Sequence, residues 1–547
     1  MYPSIHSECK RLKRGPVLGR LALGIAALMV SANFSLAQAP TTSTAGPTSG
    51  SLPSLGETSE LAAAAERRIG DRIAASIYRD PDYIDDPVLA DYVQGIWLPL
   101  VAAARTRGEL HAELEERFAW QLFLIRDRSI NAFALPGGYF GLHLGLVAAV
   151  GSPDEMAAVL GHELSHVTQR HISRMLTQQA RQTPWMIAAM LLGALAAGKS
   201  GDVASAAIVG GQAVAAQNQL NFSRDMEREA DRVGFGVMTD AGFESRGMTA
   251  MFEKLQQAAR LNDNGSFPYL RSHPLTTERI AEAQARVQLV SAEAAKPTRE
   301  KEIESGKARL LHAMMASRAR ILAAPGVDGL RSMVAEAQRR PVSLAHLQSP
   351  ATPENVRDAG ALYGGAFAAA QLRDFAVAKT LLGQLKALGT QDVPQVAGTI
   401  DLLGTEIDLL AGVVPPAASS TDISRATSRA EVLTQAQALM AANRVQAVSD
   451  RLQTWVALHP KDAMAWQLLA TAYGRQNQNI RAVRADAESR AAQLDYSAAL
   501  DRFKAAQGLM RSNPSGADYV EGSILDTRTR QIESLVKEQA LQDKLDR

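Results

Sequence analysis

His162-Glu163-Leu164-Ser165-His166 sets two imidazoles four residues apart with a carboxylate between them. On a helix that spacing projects both rings from one face, one turn apart. Two such rings can share a zinc ion at about 2.0–2.1 Å each. Glu163 is then placed to act as general base on a water polarised by the metal. The chemistry this points to is hydrolysis, with one zinc ion per chain. Such a centre also needs a third protein ligand and an open position for water. The run Asn221–Asp231 supplies candidates: Glu227 and Asp231 share a helix face, whereas Glu229 points away from both. One of that pair can bind the metal while the other accepts the free ring N–H of a ligating histidine.

The elements that must hold these residues are also announced. Ser152-Pro153-Asp154-Glu155 reads as a capping box, with Ser152 as N-cap, Pro153 in the first turn and Glu155 closing the box. Met156, Leu160, Leu164 and Val167 then form an apolar stripe. Upstream, helices are expected over Leu61–Tyr78 and Val88–Ala104. Strands are expected over Phe118–Ile125, Ile130–Leu135 and Tyr139–Leu146, the last two around the Pro136-Gly137-Gly138 turn. A small sheet beside the metal helix offers an edge to an extended peptide. Between the histidine pair and the acidic run lie two apolar stretches, Trp185–Gly198 and Val203–Ala216. Fourteen residues each are too few to span a bilayer, so at most peripheral membrane contact is expected.

Bulk properties set the frame. A chain of 547 residues exceeds one core, and 46% hydrophobic with 21% charged residues is a globular balance. A net charge of +1 gives no basic excess and argues against a nucleic-acid partner. The first 37 residues read as a secretory signal peptide: a basic stretch, the apolar run Leu21–Val30, and small residues at Ser35 and Ala37. Cleavage after Ala37 removes five basic residues and one acidic, leaving 53 against 56, and removes Cys9, the one cysteine. Residues 38–58, rich in Pro, Thr, Ser and Gly, read as a flexible linker.

His273, in Arg271-Ser272-His273-Pro274, falls between two prolines and is expected on a loop. A loop histidine beside an open zinc position has three uses: a fourth ligand that closes the site, a donor to the oxyanion, or an ordinary surface residue. Asn131 and Arg279 are further candidates for oxyanion support, each equally readable as structural. His143, His171, His312, His346 and His459 are assigned to packing or surface.

Taken together, these motifs resemble the gluzincin peptidases that include the CAAX prenyl protease and the bacterial HtpX protease. The match runs through Asn131-Ala132-Phe133-Ala134 with Gly137-Gly138, His162-Glu163-x-x-His166, Ser223-Arg224, Glu227-x-x-x-Asp231, Ser272-His273-Pro274 and Arg279. It covers about residues 59–290. The resemblance implies that Glu227 is the third ligand, that Asp231 orients His162, and that His273 is a self-inhibiting ligand. It further implies the soluble periplasmic branch of that family, in which the peptidase domain is joined to tetratricopeptide repeats. The resemblance thus implies unfolded or misassembled proteins as substrates and docking of the repeats on the outer-membrane barrel-assembly machinery.

The rest of the chain fits such repeats. Trp466-x-x-Leu469-Ala470-x-x-Tyr473 has the pattern of a first repeat helix, and Ala499-x-x-x-Phe503 that of a second. The expected fold class is therefore mainly α with a small β-sheet: a zinc metallopeptidase domain over 59–295, then a degenerate all-α repeat solenoid over 305–547. A rival reading makes the chain a chaperone or adaptor, with partner-binding repeats and a silent zinc domain.

Overall fold

In the computed structural model the described residues are 62–178, 223–261, 268–293, 299–340, 352–388, 394–419, 426–512 and 519–545. The expected leader, the linker, the apolar stretches within 185–216 and His346 lie outside them.

The first half is built around one buried helix. α1 (Ala63–Arg79), β1 (Tyr83–Ile84), α2 (Pro87–Thr106), α3 (Ala112–Arg117), β2 (Gln121–Ile125), β3 (Ala132–Leu135), β4 (Tyr139–His143) and α4 (Leu144–Ala149) lead to α5 (Pro153–Thr168). The four strands form one sheet in the order β1-β2-β4-β3, with β2 and β4 parallel and the other pairs antiparallel. β3 is thus an edge strand, and it packs against α5. The strand expected over Tyr139–Leu146 stops at His143, where the chain turns into α4. The apolar run beyond His143 suits a buried helix as well as a strand, and periodicity alone does not separate the two.

α5 starts as expected, with Ser152 Oγ accepting the Glu155 N–H at 3.2 Å and Pro153 in the first turn. The box closes one residue early, because Glu155 Oε2 accepts from the Gly151 N–H at 2.8 Å. Every residue from Glu155 to Thr168 is buried, so this helix is enclosed rather than amphipathic. It packs against α2, against α6 (His171–Gln178), and against α7 (Arg224–Asp240) and α8 (Arg246–Leu261). α2 is the one described helix long and apolar enough to cross a membrane. Here its Leu89, Val93, Trp97 and Leu100 row is buried in the core.

A short helix, α9 (Pro268–Ser272), and a longer one, α10 (Thr277–Glu293), complete the site region. α11 (Arg299–Leu322), α12 (Gly326–Gln338), α13 (Pro353–Gln371), α14 (Phe375–Ala387), α15 (Pro394–Leu410), α16 (Arg429–Ala441), α17 (Val445–Leu458), α18 (Ala463–Arg475), α19 (Asn479–Ala492), α20 (Tyr496–Ser512) and α21 (Tyr519–Leu545) follow, and from α13 onward each helix packs on the next. Three-residue turns recur between partners, each with a left-handed residue in the middle: Arg373, Asn443, Asn477 and Leu494. Asparagine tolerates that conformation well, arginine and leucine less so. Trp466, Leu469, Tyr473, Ala499 and Phe503 are all buried between neighbouring helices. The change of architecture near residue 300 is not a break in packing. α11 packs on α4, and one hydrophobic core runs from Ala63 to Ala430.

Candidate metal centre

The metal cluster forms where α5 and α7 cross, and two glycines make the crossing close. A Cβ on Gly234 would lie 3.0 Å from the Gly161 carbonyl carbon and oxygen, and one on Gly161 would lie 3.2 Å from the Gly234 oxygen. No side chain separates the backbones at that point, so His162, one residue on, reaches the carboxylates of α7. Ser223 caps α7 by accepting the Met226 N–H at 3.2 Å, which fixes the register of Glu227 and Asp231.

Four donor groups converge: one atom each from His162, His166, Glu227 and His273, all buried and all within 4.8 Å of one another. His162 Nε2 and His166 Nε2 are 3.0 Å apart, and His273 Nδ1 lies 3.3 Å from His162 Nε2. Glu227 Oε1 lies 3.5 Å from His166 Nε2 and 3.0 Å from His273 Nδ1, and its Oε2 lies 3.6 Å from His162 Nε2. Donors around a tetrahedral zinc with bonds of 2.0–2.1 Å stand about 3.3 Å apart. The spacing fits.

Proton placement gives a second, independent fit. His162 Nδ1 sits 3.0 Å from Asp231 Oδ1, an acceptor that requires the ring proton there. His162 Nε2 is then a bare lone pair. His166 also spends its Nδ1 elsewhere, 2.9 Å from His171 Nδ1. With the His166 proton on that Nδ1, two lone pairs face each other at 3.0 Å and repel unless a cation lies between them.

The carboxylates are set by Arg279. Its Nε and Nη2 donate to Asp231 at 2.6 and 2.8 Å, while Nη1 pairs with Glu227 Oε2 at 2.6 Å and donates to the Pro274 carbonyl at 2.9 Å. Burial opposes the Asp231 charge, but the Arg279 and His162 hydrogen bonds win and hold its pKa down to about 2. Burial likewise opposes the Glu227 charge and is outweighed by His273, His162 and Arg279, so that carboxyl is also lowered. Glu163 differs. Burial dominates there and raises its proton affinity, with His273 and His162 only partly offsetting it.

His273 follows α9 directly, its N–H donating to the Tyr269 carbonyl at 2.9 Å. Its ring is buried, with Nε2 3.4 Å from Glu163 Oε1 and the Tyr269 ring 4.7 Å away between centroids. Tyr269, buried beside His273, had no sequence signal beyond its type.

The structure therefore brings His162, Glu163, His166, Glu227, Asp231, His273 and Arg279 together. Asn131 stands apart: buried just before β3, its carbonyl accepts the His143 N–H, and no described bond joins its side chain to the cluster. Among the histidines set aside, His143 packs with Ser129, His312 binds Tyr92 and the Val150 carbonyl, and His459 lies against Trp455. His171 departs from that assignment. It is buried against His166 and bonded to Glu229, the carboxylate that faces away from Glu227. Its signal was weak, since it lies past the end of α5 and only the fold turns it back.

Comparison with known proteins agrees with this geometry. Residues 101–287 match the family model of peptidase family M48. The putative beta-barrel assembly-enhancing protease of Vibrio cholerae serotype O1 is 37% identical over 240 residues, 43% of this chain and 47% of that protein. The beta-barrel assembly-enhancing protease of Escherichia coli strain K12 is 32% identical over 237 residues, with the same shares. In both cases the chain spans about half the relative's length. The Yersinia pestis protein of that name is 28% identical over 445 residues, 80% of this chain and 83% of that protein, so that alignment extends well past the metal centre.

Proposed function

We propose that this chain, whose residues 101–287 match the model of peptidase family M48, is a zinc-dependent endopeptidase. The observation that carries this reading is the convergence of the His162 and His166 ring nitrogens, 3.0 Å apart, beside Glu227, with a buried carboxylate, Glu163, next to them. A purely structural metal site has no use for that last group.

His162, His166 and Glu227 would hold the metal, with Asp231 orienting His162 and Arg279 fixing both carboxylates. Bound there, zinc supplies Lewis acidity toward a water and a peptide carbonyl. Glu163 takes the proton from the attacking water and returns it to the departing amine as the C–N bond breaks. Its raised proton affinity suits that exchange. An extended peptide would pair along β3, the edge strand against α5.

His273 closes the centre in this arrangement. Its Nδ1 sits among the ligand atoms and its Nε2 faces Glu163, so one ring covers both the open position and the base. We read it as a fourth ligand that substrate or partner displaces. Arg279, which grips the adjacent Pro274 carbonyl, anchors that segment, with its Nε, Nη1 and Nη2 engaged by Asp231, Glu227 and Pro274.

The relatives' names speak of barrel assembly. On that basis we infer protein substrates, specifically misassembled or stalled outer-membrane barrel precursors, with the helices from 305 onward binding them or the assembly machinery. The leader expected over residues 1–37 would place the protein in the periplasm.

Glu163→Gln in the mature chain should keep about one zinc per chain and lose about 10²–10⁴-fold in cleavage of unfolded protein. Normal cleavage would reject the mechanism. His273→Ala should raise basal proteolysis, including self-cleavage, whereas lost turnover with zinc retained would make His273 an oxyanion donor instead.

A further inference from the structure

The two metal histidines are anchored differently, and the second anchor has its own polar chain. α5 ends at Thr168, and Arg170 adopts φ 57°, held by Glu66 at 3.0 Å. That left-handed step starts α6 with His171 turned back onto His166. The rings meet at 73° with Nδ1 facing Nδ1 at 2.9 Å. His171 Nε2 lies 3.0 Å from Glu229 Oε2, and Arg174 Nη2 donates to that same oxygen at 2.7 Å. His171 is fully buried, while the Glu229 and Arg174 side chains are about one-third exposed.

One proton arrangement satisfies this chain. If His166 gives its Nε2 lone pair to the metal, its proton sits on Nδ1 and donates to His171. An imidazole that accepts at Nδ1 carries its own proton on Nε2, where it donates to Glu229. The opposite tautomer would set two N–H groups against each other at 2.9 Å and leave the buried end of Glu229 without a ring donor.

We propose that His171, held by Glu229 and braced by Arg174, is a positioning residue that fixes the tautomer and ring angle of His166 for metal binding. The inference rests on the reading of His166 as a zinc ligand. It makes the centre asymmetric: His162 donates to a carboxylate clamped by a buried arginine, and His166 donates to a neutral ring. It also reassigns Glu229, which the helix-face argument set aside, to the outer end of the second anchor.

The test uses the mature full-length chain, zinc affinity by chelator competition, and the visible spectrum of the cobalt-substituted protein. His171→Ala should weaken zinc binding about 10–100-fold and shift the cobalt bands. His171→Gln should recover most of that loss, since an amide can accept from His166 and donate to Glu229. Glu229→Ala, which leaves both rings in place, should weaken binding by a smaller factor and serves if His171→Ala fails to fold. Wild-type affinity and an unchanged cobalt spectrum in His171→Ala and Glu229→Ala would overturn the proposal. So would equal losses in His171→Ala and His171→Gln, which would mark a packing role. If the wild-type chain itself takes up no zinc, the metallopeptidase reading fails along with it.

Discussion

Among the described residues, two buried clusters combine arginine with several carboxylates, and one of them has the donor set of a metal centre. In the cluster at α5 and α7, Arg279 serves Asp231 and Glu227. The other lies where the start of α2 meets the helices after residue 300. There Arg318 donates to both oxygens of Asp86 and both of Glu406, and also to the Tyr363 hydroxyl. Beside it Arg429 bridges Asp85 and Asp462, and Asp462 further accepts from the Trp455 indole and the Ala465 N–H. In this second knot each carboxylate oxygen named meets a donor. In the first, one ligand atom each from His162, His166, Glu227 and His273 converges within 4.8 Å of the others, more acceptors than the one arginine beside them can serve. Buried charge is common to both. What distinguishes a metal centre is a surplus of converging acceptors.

That contrast can be broken in several ways. The largest effect is expected from His162→Ala or His166→Ala, which should abolish both zinc uptake and cleavage in metal analysis and peptidase assays, because two remaining ligands hold zinc poorly. Retained zinc would show that the convergence was misread.

Arg318→Met should cost about 3–5 kcal/mol of stability, since it strands Asp86 and Glu406 as uncompensated buried charges. Denaturant unfolding measures this. Zinc affinity of the folded variant should stay at the wild-type value, and a parallel loss would mean the two clusters are not independent.

Next comes Asp231→Asn, expected to weaken zinc binding about 10–100-fold through the loss of the His162 orienter. Glu227→Gln, which replaces a direct ligand, should weaken it more. A chelator titration that ranks them the other way would exchange the roles of the two carboxylates.

The smallest effect is a pH dependence in metal-free protein. Asp231 is held down to about 2 from an ordinary 3.8, so its stabilisation is fully present above about pH 4 and disappears as pH falls through about 2. The stability gap between wild type and Asp231→Asn should close across that window. A gap that persists at pH 2 would show that packing, not ionisation, sets it.

How much of this was legible follows from sequence distance. His162, Glu163 and His166 lie within one turn and a half of helix, and a helix maps spacing onto direction, so their shared face follows from the residue numbers alone. Glu227 and Asp231 are fixed relative to each other by the same rule, and the Ser152 cap is read from its own local pattern. Even the repeat helices announce themselves through Trp466, Leu469 and Tyr473, whose spacing marks one buried stripe.

Local periodicity carries no information about what crosses what. That α5 and α7 approach backbone to backbone depends on Gly161 meeting Gly234, two residues that look like helix-weakening accidents until their helices touch. Arg279 reaches Asp231 across 48 positions, and His273 enters the donor group from 111 positions beyond His162. His171 is near in sequence, yet the left-handed Arg170 alone turns it back onto His166. The sequence by itself determined which side chains share a helix face, because that geometry is local and periodic. Only the tertiary structure decided which faces meet, because close approach is set by packing among distant elements, and with it came the contacts of His171 with His166 and of His273 with the donor group.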